Sequence, residues 1–153
     1  MRRAVAKFVL DEWLWADLGG ENGPARQKES LCLLLTLCRK CDRIVVPLGT
    51  PFVQKFWALS ERASPGDPLR AVVKLFRQRF LENSEKSLQL SLEPLGEPPI
   101  EVDPEDRYLV QALLVSSADA LVTTDGRLIE LVRSRHRPAL HRDEFLAEYL
   151  ESS

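Results

Sequence analysis

The stretch from Asp103 to Asp125, DPEDRYLVQALLVSSADALVTTD, commits the chain to a helix followed by a strand. Asp103 suits an N-cap and Pro104 the first helical position. Asp106 stands three residues after the cap, where a carboxylate can accept the free amides of the first turn. Leu109, Val110, Leu113 and Leu114 recur at helical spacing, which predicts one buried face with Arg107 and Gln111 turned outward. Ser116 to Asp119 break that pattern. Ala120, Leu121, Val122 and Thr123 then form a short run suited to a strand buried on both faces, ended by Thr124, Asp125 and Gly126.

Similar units recur along the chain. Residues 4 to 10 read as a buried first strand with Asp11 at its end, followed by a short helix carrying Trp13, Leu14 and Leu18. A second helix is predicted over 25 to 38, with Leu31, Leu34, Leu35 and Cys38 on its apolar face. Ile44, Val45 and Val46 form a second strand closed by Pro47, and a helix follows from about Pro51 to Ala63. After the break at 64–68, Leu69, Val72, Val73, Leu75, Phe76 and Phe80 predict a helix ending near Asn83. A third strand falls within 88 to 102, where 88–95 alternates loosely as an edge strand does. Beyond Asp125 come a short helix with Leu128, Ile129 and Val132, a basic turn, and a last helix over about 142 to 150. Strands alternating with helices imply a small α/β fold, a mostly parallel sheet covered by helices on both faces.

Length and charge narrow the function classes. At 153 residues the chain suits one domain, 1–153, and such a chain buries roughly 70% of its unfolded surface, so no staples are needed. A net charge of −2 with 44% apolar residues excludes a disordered chain and a uniformly basic nucleic-acid binder. The apolar run after Arg2 and Arg3 is stopped by Asp11 and Glu12, too early for a signal peptide or membrane span. The expectation is a cytoplasmic protein with no membrane partner. Three cysteines are too few, and odd in number, for a disulfide framework. Cys38-Arg-Lys-Cys41 has the spacing of half a zinc site and no second half, so Cys32 and Cys38 are expected to face the core.

Asp11 and Asp125 both end strands, and Asp106 opens the helix before the second of them. In parallel sheets ligands bind outside the carboxyl ends of the strands. Three carboxylates gathered there repel one another unless a cation neutralises them. Mg²⁺ and Mn²⁺ prefer oxygen ligands and promote attack on phosphate esters, so the implied chemistry is phosphodiester hydrolysis. Each aspartate also stands at a helix start, where capping alone accounts for it.

Asp106-Arg-Tyr-Leu-Val-Gln-Ala followed by Ala118-Asp-Ala-Leu-Val-Thr-Thr-Asp125 resembles the signature of PIN-domain ribonucleases, with the two aspartates 125 − 106 = 19 positions apart. FVLDEWL at 8–14 is similar to the first strand of that family, and EFLAEYL at 144–150 to its closing helix. The resemblance implies a three-layer α/β/α fold with about five strands and an Mg²⁺- or Mn²⁺-dependent endoribonuclease site. Asp11, Asp106 and Asp125 would be its catalytic metal ligands, Thr123 a supporting hydroxyl and Gly126 the turn beside it. It also implies RNA as substrate, an antitoxin protein as partner and a homodimer, for which the second or fourth helix offers apolar surface.

One element of the family pattern is absent. An acid usually stands early in the helix after the second strand, whereas residues 50–59 here contain Gln54 and Lys55 and no carboxylate. Glu61 lies about 10 Å further along such a helix. Glu12 beside Asp11, or the neutral oxygen of Gln54, are the substitutes on offer, and Glu12 equally reads as a first-turn helix acid. The alternative function is therefore a PIN-like RNA-binding or protein-interaction module with weakened catalysis. Arg127, Arg133, Arg135, His136, Arg137 and Arg142 form a basic group suited to an RNA backbone or to a solvated helix end. Trp13, Trp15 and Trp57 suit base stacking, an interface or the core. A receiver-like signalling domain is the weaker alternative, because the last strand region lacks the lysine it requires.

Overall fold

The computed structural model describes residues 5–92 and 101–151. Five strands form one parallel sheet: β1 (Lys7–Leu10), β2 (Arg43–Leu48), β3 (Ser87–Ser91), β4 (Ala120–Thr123) and β5 (Ala139–His141), in the order β3-β2-β1-β4-β5. Between β1 and β2 lie α1 (Trp13–Leu18) and α2 (Pro24–Lys40), and between β2 and β3 lie α3 (Pro51–Arg62) and α4 (Pro68–Phe76). The remaining helices are α5 (Arg107–Ser116) before β4, α6 (Gly126–Ser134) before β5 and the closing α7 (Arg142–Glu151).

The strand order explains the layers. The chain moves one way from β1 to β3, then returns past β1 to add β4 and β5. With right-handed crossovers this places α1 to α4 on one face and α5 and α6 on the other. The closing helix α7 packs on α2, β4 and β5. The expected three-layer α/β/α architecture is thus the one adopted. Strand order reverses between β1 and β4, which pair through Phe8–Ala120, Val9–Leu121 and Leu10–Val122. This register sets the ends of β1 and β4 side by side.

Several local expectations are corrected. The first strand spans Lys7–Leu10, and residue 4, where it was expected to start, lies outside the described residues; the Ala6 amide donates to Asp42 Oδ1 (3.0 Å) and the Lys7 amide to Asp119 Oδ2 (2.8 Å), so side chains occupy the backbone before the ladder starts. Pro47 lies inside β2 instead of closing it, since β1 pairs with β2 only as far as Phe8–Ile44 and Pro47 faces β3 opposite Leu90. The fourth helix passes into a π-helical turn at Arg77–Leu81. The third strand is an edge strand, as expected, but spans Ser87–Ser91; the expected extension through 93–95 lies outside the described residues.

The buried face of α2 is Ser30, Leu33, Leu34, Thr36 and Leu37, with Leu31 and Cys38 half-buried and Leu35 exposed. Ser30 sets this rotation by donating to the fully buried Asp17 at 2.9 Å. Of the cysteines, Cys38 packs against the core from a half-buried position, Cys32 is half-buried and Cys41 is exposed. The residue pattern alone contained no strand at Ala139–His141; it is short and follows a run of exposed basic residues, yet pairs along β4. No described helix is long and apolar enough to cross a membrane.

Candidate active site at the carboxyl ends of β1 and β4

The crossover reversal places Asp11 just past β1 and Asp125 just past β4. The Asp11 amide continues the ladder by donating to Val122 O at 3.1 Å. Thr123 joins the two acids: its fully buried hydroxyl donates to Asp11 Oδ2 at 2.7 Å and accepts the Asp125 amide at 3.2 Å. Such a hydroxyl fixes the Asp11 rotamer, because the bond runs between adjacent strands rather than along one chain. Asp11 Oδ1 accepts the Glu12 amide at 2.6 Å.

The third acid arrives on the opposite layer. The 103–106 segment does not open an α-helix at Asp103, as the cap pattern predicts; Pro104–Asp106 forms a 3₁₀ turn and α5 follows at Arg107. Neither Asp103 nor Asp106 caps through its side chain. The three sequence-predicted aspartates therefore differ. Asp125 is a true cap, accepting the Arg127 and Leu128 amides at 3.0 and 3.3 Å. Capping does not account for Asp106.

Electrostatics sets Asp106 apart as well. Partial burial, followed by the charges of Asp11, Asp125, Glu105 and Asp103, holds its carboxyl up to about 6. The carboxylates thus repel one another across the strand ends. Among the described residues, the carboxylates that close as a trio to within 4.8 Å are Asp103, Glu105 and Asp106; Asp11, Asp106 and Asp125 do not close as such a trio. Asp103 and Glu105 were readable only as helix-start acids, and their local acidic spacing was the available signal.

Glu12 and Tyr108 extend the cluster. Burial and then the Asp11 charge raise the Glu12 carboxyl, while Lys55, 3.6 Å away, pulls the other way. The Tyr108 hydroxyl is buried and approaches Glu12 closely enough to lower its pKa, yet completes no hydrogen bond of ordinary geometry with a described residue. Burial and the Glu12 charge raise the phenol itself. Tyr108 follows Asp106 by two residues, and no spacing rule marks it in advance.

The other expected residues divide. Gln54 is exposed on α3 and Lys55, not an acid, faces Glu12. Arg127 and Arg135 line a cleft of about 560 Å³ with Asp106 and Asp125. The Nε of Arg133 donates to Ala139 O at 2.9 Å, and Arg137 is exposed. Arg142 leaves the basic surface altogether: it is buried, with Nε 2.6 Å from Asp17 Oδ2. Trp13 and Trp15 are buried and donate to Val122 O and Phe52 O, so neither is available for stacking, whereas Trp57 is 47% exposed. No family model matches the chain, and no curated protein matches its sequence.

Proposed function

We propose that the protein is a PIN-like, divalent-metal-dependent ribonuclease that hydrolyses RNA phosphodiester bonds. The observation that carries this reading is the set of carboxylates at the switch point of a parallel sheet: Asp11 and Asp125 just past adjacent strand ends, with Asp106 pushed up to about 6 by partial burial and then by their charge. An all-oxygen donor set of this kind fits Mg²⁺ or Mn²⁺ better than a softer ion. Asp11, Asp106 and Asp125 would hold it, and the chemistry it supplies when bound is polarisation of a phosphate ester and activation of water. Thr123 holds Asp11 in one orientation, the first amides of α6 keep Asp125 in place, and Asp106 is free of capping duty. Exposed Arg127 and Arg135 on the cleft wall would meet the phosphate backbone.

Cleavage of labelled RNA with Mg²⁺ or Mn²⁺ tests the reading. Wild-type protein is expected to cut, and Asp11→Asn and Asp106→Asn are expected to lose at least ~100-fold, since each removes a ligand charge. Unchanged cleavage in either variant, or none by the wild type on single-stranded and structured RNA, overturns it.

One observation favours a second reading, a PIN-like RNA-binding module with weakened catalysis. In the first turns of α3, Gln54 is exposed and the Lys55 ammonium lies 3.6 Å from Glu12, so this segment brings a cation and no acid toward the carboxylates. A Mn²⁺-dependent rise in melting temperature that vanishes in Asp106→Asn supports a working metal site; no rise supports the weakened one.

A further inference from the structure

The carboxylates face two clefts. On the α6 side, Arg127 and Arg135 share one with Asp106 and Asp125. On the opposite side a cleft of about 600 Å³ joins Asp11 and Glu12 to Arg26, Lys55 and Thr124. Arg26 and Lys55 come from different helices, so no basic run in the sequence announces them.

We propose that Arg26 and Lys55 form a second phosphate-binding wall, so that one RNA strand crosses the carboxylate row with cations on both sides of it. The inference rests on the ribonuclease reading and assigns how the substrate of that same site is held.

Charge distribution is the first reason. A polyanion approaching Asp11, Glu12, Asp106 and Asp125 is repelled unless cations meet its flanking phosphates. Arginines on the α6 side alone would hold a strand by one flank. With Arg26 and Lys55 opposite, the cations bracket the acids and suit an internal phosphodiester.

Availability is the second. Lys55 Nζ lies 3.6 Å from Glu12 Oε2 with its side chain 60% exposed, and Arg26 Nη2 lies 3.8 Å from Asp143 Oδ2 with its side chain 40% exposed. Both cations are largely in solvent and both contacts are long and single, so a phosphate can compete for them. Placement is the third. Lys55 lies in the second turn of α3, which packs on β2 and α1, and Arg26 in the first turn of α2, which packs on α1 and α7. Both cations therefore stand on helices anchored in the core.

Fluorescence anisotropy with a short labelled single-stranded RNA, in EDTA so that no strand is cut, tests the wall. For Arg26→Ala/Lys55→Ala, affinity is expected to fall roughly tenfold or more and the salt slope to shrink by about 1.4, the share of two phosphate contacts on a single strand. Lys55→Arg in an otherwise wild-type chain is expected to keep both values. Thermal melts report whether the variants fold. Wild-type affinity and slope in the double variant, with binding lost only in Arg127→Ala/Arg135→Ala, overturn the wall, as does failure of the folded wild type to bind. Wall-dependent binding without a Mn²⁺ melting shift would instead sustain the wall and strike the ribonuclease reading.

Discussion

Asp11 precedes α1 and Asp17 lies in its last turn, and the two meet opposite fates. Asp17 is fully buried and satisfied by Arg142 Nε at 2.6 Å, Asn22 Nδ2 at 2.8 Å and Ser30 Oγ at 2.9 Å. Arg142 completes its own fork with Asp143 at 2.7 Å and Glu29 at 3.3 Å, while its guanidinium lies 5.5 Å from the centre of the Trp13 ring. Asp42 is similarly enclosed, accepting the Ala6 amide and the Tyr149 hydroxyl. At the other end of α1, the charges of Asp11 and Asp125 act on Asp106 and that of Asp11 on Glu12, with Lys55 3.6 Å from Glu12 as a loose counter-charge. A carboxylate whose lone pairs are filled by the protein holds the fold together. On the proposed reading, the carboxylates left to repel one another are the ones that would meet a metal ion.

The largest effect is expected where charge is best paired. Arg142→Ala strands the Asp17 charge in a dry site and is expected to cost about 3–5 kcal/mol in urea unfolding, because removal of one partner of a buried pair leaves the other uncompensated. Asp17→Asn with Arg142→Met removes both charges and should recover most of that loss. A small cost for Arg142→Ala alone would mean that water reaches the pair and would dissolve the contrast with the strand-end acids.

At the strand ends the sign reverses. The Asp106 carboxyl is raised to about 6, above its unfolded value, so over roughly pH 4–6 the folded protein keeps a proton that the unfolded chain has released. Stability in metal-free buffer should therefore fall as pH rises through that window and stay low above it. Asp106→Asn removes the repulsion and breaks no cap, so it is expected to stabilise by about 1 kcal/mol at pH 7.5, after allowance for solvent screening, with little gain near pH 4. Urea titrations at the two pH values check this; destabilisation at pH 7.5 would show that the ionised Asp106 is paired.

Some of this was legible in the residues and some was not, for definable reasons. Apolar runs at Ile44–Val46 and Ala120–Thr123 mark buried strands because only a covered sheet accommodates them. β5 is three residues long and escapes any periodicity. The spacing in α2 fits Leu31, Leu34, Leu35 and Cys38 as well as Ser30, Leu33, Leu34 and Leu37; contact with Asp17 decides between them, and it comes from outside the helix. Arg142 sits among residues that look like its basic neighbours, and nothing local marks it for burial. Asp11, Asp106 and Asp125 could be named from strand and helix ends. Glu12 was legible too, as the neighbour of Asp11, whereas the grouping of these acids with Tyr108, Arg26 and Lys55 depends on the strand order β3-β2-β1-β4-β5, which brings together distant parts of the chain.

Asp125 is both satisfied and exposed to the repulsive field, so it tests the contrast most finely. Its carboxylate accepts two amides at the start of α6 and also adds to the charge that raises Asp106. Asp125→Ala loses the cap and is expected to cost about 1 kcal/mol. Asn caps nearly as well as Asp, and the lost attraction to the helix dipole is offset by relief of repulsion, so Asp125→Asn is expected to stay within about 0.5 kcal/mol of wild type. A Mn²⁺-dependent melting shift should nevertheless disappear in Asp125→Asn, because an amide oxygen brings no charge to a hard cation. Wild-type stability together with a wild-type Mn²⁺ shift would assign Asp125 to the helix alone and leave Asp11 and Asp106 as the acids awaiting a ligand.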